Sequence, residues 1–230
     1  MLPKCINDMS GIDICFDMKT ATEVGGDYYD YHLSKDGTLT LAIGDATGHG
    51  MRAGIMVSII KSLFLTNMEE MNILSFFEKC SRNIKQMKFN NLYMALQIVK
   101  IKNRTMTASS AGMPPVFVYR AKTDTVDEFV TKGMPLGAFD AYPYQTVEAK
   151  LETGDTILLM SDGLPELFNK NNDQFEYSQV SEILAESGKK SSTDIVRELF
   201  KAADTWRNGK EQNDDISFIV IKILDEKGEN

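Results

Sequence analysis

Apolar positions along this chain come in blocks whose spacing switches between the period of a strand and that of a helix. Residues 12–18 alternate loosely. Residues 28–33 and 38–43 flank Lys35-Asp36-Gly37, and an Asp-Gly pair between two such runs predicts a hairpin. Leu39, Leu41 and Ile43 form the buried stripe of its second arm. Two helical patterns follow: Ile55, Met56, Ile59, Ile60, Leu63 and Phe64, then Ile73, Phe77, Cys80, Ile84 and Met87 behind Asn72 as N-cap. Strand patterns resume over 92–101, 105–110, 116–120, 125–130, 144–149 and 156–160, punctuated by Pro114-Pro115, residues 133–137 and Gly154-Asp155. Val180, Ile183 and Leu184 predict a short helix, and Ile195, Val196, Leu199, Phe200 and Ala203 a longer one. Residues 216–223 are nearly all apolar, as a central strand buried on both faces requires.

Strands joined by short turns, with two helix pairs between them, predict mostly antiparallel sheets whose outer faces the helices cover. The expected fold class is α+β: a four-layer α-β-β-α sandwich of two mostly antiparallel sheets flanked by helix pairs. No repeat and no linker interrupts the chain, so residues 1–230 are expected to form a single domain, with 225–230 as a loose tail.

Composition narrows the function. With 43% hydrophobic and 25% charged residues the chain is ordinary globular protein, which removes disordered and low-complexity classes. A net charge of −8 argues against nucleic acid or an anionic membrane as the main partner. Cys5, Cys15 and Cys80 are an odd number without close spacing, which predicts neither a disulfide framework nor a zinc site and favours a reducing cytosol. Two histidines, His32 and His49, are too few for a histidine metal cage. No apolar run reaches the roughly 18–20 residues of a membrane span, and the richest, 54–65, carries Lys61. Pro3, Lys4 and Asn7-Asp8 break up any signal-peptide core, so a cytoplasmic location is expected.

The chemistry concentrates in the aspartates at strand ends. A hairpin turning about Asp36 leaves Asp27 and Asp45 each nine positions away, opposite one another at the open end. Opposed like charges are destabilising. Gly25, Gly26, Gly44, Gly48 and Gly50 strip side chains from the surroundings and bare the backbone, so carboxylates and carbonyls together suit Mg²⁺ or Mn²⁺. Two solvated, turn-adjacent aspartates are the plainer reading. The pattern recurs, however: Asp162 closes the strand at 156–160, and Asp214 and Asp215 open the one at 216–223. Antiparallel pairing of those strands would gather these carboxylates, and the full set suits two cations about 3.5–4 Å apart.

These residues carry a resemblance. Glu23-Val24-Gly25-Gly26-Asp27-Tyr28-Tyr29-Asp30 and Gly44-Asp45-Ala46-Thr47-Gly48-His49-Gly50 resemble the metal-dependent protein phosphatases, nearest the bacterial SpoIIE/RsbU-type branch of the 2C-like enzymes. Ser110-Ala111-Gly112-Met113-Pro114-Pro115, Gly133-Met134-Pro135-Leu136-Gly137, Ser161-Asp162-Gly163 and Asp214-Asp215-Ile216-Ser217 continue the likeness in family order over nearly the whole chain. The resemblance implies a protein-serine/threonine phosphatase using two Mn²⁺ or Mg²⁺ ions. Asp45 would bridge the ions, Asp27 and the Ala46 carbonyl would hold one, and Asp162 and Asp214 the other. Asp215 ranks behind Asp214. Asp45 and Asp27 are the implied catalytic pair, and water acidified between the ions would attack phosphorus in line, without a phosphoenzyme. Met113 stands where many relatives have His, and Arg52 where small residues are usual; neither is an expected ligand. His49 and Arg52 are weak candidates for contacting the phosphate or leaving group. The implied partners are a phosphorylated regulatory protein, commonly an anti-sigma-factor antagonist, and an upstream sensory domain or activator, this chain being the output domain of a larger regulator. The helix over 52–66, springing from the Asp45 loop, is the expected regulatory lever.

Rivals fare worse. Gly48, Gly50 and Gly54 after a strand, with Glu69 and Glu70 further on, resemble a dinucleotide-binding turn, but a second helix follows where that fold needs a parallel strand. No cysteine is followed by five residues and then an arginine, Gly11, Ala21 and Gln86 standing at those positions, which argues against a cysteinyl phosphoenzyme. The loop over 169–173 lacks the glycine and closing glutamate of a calcium loop, having Gln174 and Val180 there. A catalytically silent phosphatase-like domain that only binds a partner is the rival of another class; the clustered acids argue against it.

Overall fold

The computed structural model describes residues 5–6, 11–70, 72–88 and 91–225; the expected tail falls almost wholly outside them. Strands β1 (Ile12–Lys19), β2 (Asp27–Leu33) and β3 (Leu39–Ala46) precede helix α1 (Met51–Asn67), a 3-10 turn at Met68–Glu70 and helix α2 (Ile73–Gln86). Next come β4 (Met94–Lys102), β5 (Thr105–Ala111), β6 (Val116–Arg120), β7 (Thr125–Phe129), β8 (Val147–Lys150) and β9 (Thr156–Met160). Helices α3 (Glu176–Ser187) and α4 (Ser192–Arg207) lead to β10 (Ile216–Ile223). The chain falls into two compact units. One contains Thr22–Pro114 and Val130–Lys150; the other contains the described chain up to Ala21, Pro115–Phe129 and the chain from Leu151.

In the first unit five antiparallel strands run in the order β2-β3-β4-β5-β8. Ala42, Met94, Leu96 and Ile98 of the sheet meet Met56, Ile60 and Phe64 of α1 and Phe76, Phe77 and Ile84 of α2, so both helices lie on one sheet face. Helix α2 starts where expected, its Asn72 side chain accepting a bond from the Ser75 amide at 3.0 Å. Helix α1 is apolar on more than one side and leaves Met51, Ile55 and Leu65 exposed. Lys61, expected only as a charge in an apolar run, reaches back to the buried Asp30 carboxylate of β2 at 2.5 Å.

In the second unit the order is β1-β10-β9-β6-β7, again antiparallel throughout. Strand β10 lies between β1 and β9, and nearly all its residues are buried, as its continuous apolar run requires. Phe117, Leu158, Met160, Phe218 and Val220 pack with Val180 and Leu184 of α3 and Ile195, Leu199 and Ala203 of α4. The buried Asp13 of β1 accepts the Ser192 amide at the start of α4 at 3.0 Å, tying helix to sheet. Each unit therefore has the sheet-and-helix-pair layering expected of half the sandwich.

Three expectations need correcting. The short helix about Val180 extends over Glu176–Ser187. The strand expected at 144–149 pairs only over Val147–Lys150, because Tyr144 instead packs edge-on against Phe77 and donates its hydroxyl to the Met134 carbonyl at 2.8 Å. Cys5 and Cys15 are joined in a disulfide, which the cysteine count did not anticipate. Ile6 bridges Ile14 in antiparallel fashion, which sets Cys5 opposite Cys15. The cysteine argument for a reducing compartment loses its footing. Cys80 is free and buried. Among the described residues no helix is long and apolar enough to cross a membrane.

Candidate metal centre

The hairpin has the register that its Asp-Gly turn predicts: Asp27 lies directly opposite Asp45. Asp27 is buried and Asp45 half-buried, so two like charges face each other in poor contact with water. Gly26 lets further oxygens approach. A Cβ added there would stand 2.6 Å from the Ala46 carbonyl oxygen, 2.8 Å from Asp45 Oδ1 and 3.1 Å from the Gly48 carbonyl oxygen. These oxygens thus surround one small space that any side chain would fill. The Ala46 amide donates to the Gly26 carbonyl at 3.0 Å, fixing the strand end against the loop. Carboxylate and carbonyl oxygens without nitrogen or sulfur are the donor set of Mg²⁺ or Mn²⁺, so these residues fit such an ion.

The second acidic group belongs to the other unit. Met160 pairs with Phe218, and the Ser161 amide donates to the Ser217 carbonyl at 3.1 Å, which brings the end of β9 beside the start of β10. Gly163 is again a matter of room: a Cβ there would fall 1.9 Å from the Asp215 carbonyl oxygen. Burial pushes the Asp162 carboxyl up to about 6, and Glu166 and Asp214 add to the shift. Burial also raises Asp214, against the Asp215 amide, which donates to its carboxylate at 2.8 Å. A cation between such groups would reverse both effects, since opposite charge favours the ionised form. Asp215 is used differently: buried, it accepts the Ala21 amide at 2.8 Å. That supports Asp214 over Asp215 as ligand.

The remaining candidates are peripheral. His49 is exposed on the turn before α1, and Arg52 is exposed on its first helical turn. Met113 closes a turn in which Ser110 Oγ donates to its carbonyl at 3.0 Å and accepts its amide at 2.9 Å. Sequence reasoning missed two neighbours of Asp162. Glu166 donates its amide to the Asp162 carbonyl at 2.9 Å, and Asp162 and Glu166 both help burial to raise the Tyr177 hydroxyl. The four-residue spacing from Asp162 was the available signal for Glu166; Tyr177 had none. Among the described residues no three His, Cys, Asp or Glu side chains form a group able to hold an ion.

Comparison with known proteins gives these residues a context. The family model described as Stage II sporulation protein E (SpoIIE) matches residues 35–224. The phosphoserine phosphatase RsbU of Bacillus subtilis (strain 168) is 27% identical over 207 residues, which are 88% of this chain and 60% of that protein. The chain spans 60% or less of the length of the curated relatives it matches. The SiaA-PP2C domain of Pseudomonas aeruginosa superposes with a TM-score of 0.80 at 18% identity, covering 91% of this chain and 85% of that one. RsbX in complex with magnesium superposes at 0.70 with 18% identity, covering 96% and 98%. At these identities the likeness is one of fold, and it is the fold expected from the element order.

Proposed function

We propose, for a chain that belongs to the Stage II sporulation protein E (SpoIIE) family, that it is a Mn²⁺- or Mg²⁺-dependent phosphatase acting on phosphoserine or phosphothreonine in a regulatory protein. The observation that carries this reading is the opposition of Asp27 and Asp45 beside the oxygen-lined space at Gly26. In this reading the two units within residues 1–230 act as one catalytic domain. Asp27, Asp45 and the Ala46 carbonyl would hold one ion, and Asp162 and Asp214 would hold a second. Two such ions, when bound, supply an acidified water for in-line displacement at phosphorus and neutralise charge on the phosphoryl oxygens. The chain's own contribution is position: Gly26 keeps the space open, and the β2–β3 register holds both carboxylates on adjacent strands. His49, exposed beside the Asp45 loop, is available to the leaving oxygen.

The partners follow from the same reading. RsbU bears the name of a phosphoserine phosphatase, and a phosphoserine on a small regulator such as an anti-sigma-factor antagonist is the substrate we assign here. A sensory or activator-binding region outside this chain, acting through α1, is the regulatory partner in this reading. Turnover of a phosphoserine peptide with Mn²⁺, before and after chelation, tests the activity. Asp45→Asn should abolish it while leaving the thermal midpoint at or above that of the parent, because one of two opposed charges is removed. Full activity in Asp45→Asn refutes the assignment, and a chain that folds but never turns over with Mn²⁺ is instead a silent, partner-binding domain.

A further inference from the structure

A cavity of about 670 Å³ opens in the first unit beside the start of α2, and its floor is the same sheet face that the helices cover elsewhere. Along β4 that face carries Leu96 and Ile98 under the helices, then Lys100 and Lys102 beyond them. Lys102, Thr105 and Lys150 stand opposite one another across β4, β5 and β8. Thr40, Lys100 and Thr107 form the next row of that face. Thr38, Asn72, Leu74, Asn103 and Thr146 contribute to the walls. Three lysines thus line a single hollow in a chain of net charge −8, against one lining carboxylate, Asp36.

The lysines of this hollow are partly withdrawn from water or held by neighbours at its rim. Burial pushes the Lys100 ammonium below its ordinary pKa, with Asp36 opposing and Lys102 adding to the effect. Lys102 is bound to Asp36 at 2.5 Å, and Lys150 donates to Thr105 Oγ1 at 2.6 Å, so both ammonium groups are already held at the rim. On the neighbouring row Thr107 donates to Glu148 at 3.4 Å.

We infer that this cavity is a binding site for a phosphate-chain anion, either inorganic triphosphate or the phosphate tail of a nucleoside triphosphate. Lysines are point-charge partners for phosphate, and threonine hydroxyls and asparagine amides supply the remaining donors. The volume is that of a small-ligand site. Leu74 offers an apolar wall for a base. The site is separate from the carboxylate pair, because the six residue steps along β3 from Leu39 to Asp45 span about 20 Å. It does not rest on the phosphatase reading.

Calorimetric titration of the whole chain with sodium triphosphate and with ATP, in excess EDTA, tests the inference where no divalent ion can recruit phosphate to the aspartates. One saturable site per chain is expected, weakened about tenfold or more in Lys102→Gln/Lys150→Gln, both exposed positions whose replacement spares the core. Lys189→Gln/Lys201→Gln, the same charge change in the other unit, should bind as the parent does. Tighter binding of ATP than of triphosphate assigns the nucleotide as source; the reverse order assigns the inorganic anion. Absence of a saturable site, or equal weakening by both pairs of substitutions, overturns the inference. Lysine acylation of the parent provides an independent readout: triphosphate should protect Lys100, Lys102 and Lys150, and unchanged labelling there contradicts the site.

Discussion

Replacing Gly26 with alanine tests the oxygen-lined space most sharply. The new Cβ would lie 2.6 Å from the Ala46 carbonyl oxygen and 2.8 Å from Asp45 Oδ1, contacts shorter than real Cβ atoms make. Relief requires a separation of roughly half an ångström or more. The Ala46 oxygen cannot retreat freely, since Ala46 is hydrogen-bonded to Gly26 and paired with Met94 on β4. The Asp45 carboxylate therefore has to turn away. Overpacking of this kind costs about 1–3 kcal/mol of stability, and ångström-scale displacement of a reacting group costs on the order of 100-fold in rate. The assay is Mn²⁺-dependent hydrolysis of a phosphoserine peptide, run beside urea unfolding to separate the two effects. Gly37→Ala is the control: at φ +78° with nothing within 4 Å of the new Cβ, it adds backbone strain of about 1 kcal/mol and no clash, so activity should be untouched. Parental activity and Mn²⁺ dependence in Gly26→Ala, or equal loss in Gly37→Ala, would refute the reasoning.

Other consequences are open to direct measurement. Lys61→Met strands the buried Asp30 carboxylate that Lys61 now meets, and urea unfolding should show a loss of about 3 kcal/mol; a loss below 1 kcal/mol would mean that the pair contributes little. Burial pushes the Cys80 thiol up to about 12, so at pH 8 only about one molecule in ten thousand carries the thiolate. Unreduced, native protein at pH 8 should therefore take up no iodoacetamide, and unfolding in urea should reveal one reactive thiol by mass spectrometry. Two additional labels without reductant would show that Cys5 and Cys15 are not bonded.

Local chemistry made much of this legible in the sequence. The Asp-Gly turn at Asp36 fixes the hairpin register, and the register alone opposes Asp27 and Asp45. The continuous apolar run of β10 marks a strand with neighbours on both sides, and the last strand and β9 do pair, drawing Asp162 towards Asp214. What escaped depends on distant segments. Cys5 meets Cys15 only because Ile6 pairs with Ile14, and no spacing rule encodes that. Tyr144 belongs to a strand by pattern, yet Phe77 and the Met134 carbonyl claim it. The lysine-lined hollow is invisible in one dimension because Lys100, Lys102 and Lys150 come from two strands that β5 separates.

The central claim is that Asp27, Asp45, Asp162 and Asp214 serve to hold divalent ions. Counting Mn²⁺ bound per chain, by calorimetry on metal-stripped protein, addresses it without assuming any substrate. Two ions per parent chain, with at least one lost in Asp45→Asn, is the result the account predicts; no uptake by the folded parent, or undiminished uptake by Asp45→Asn, would contradict it.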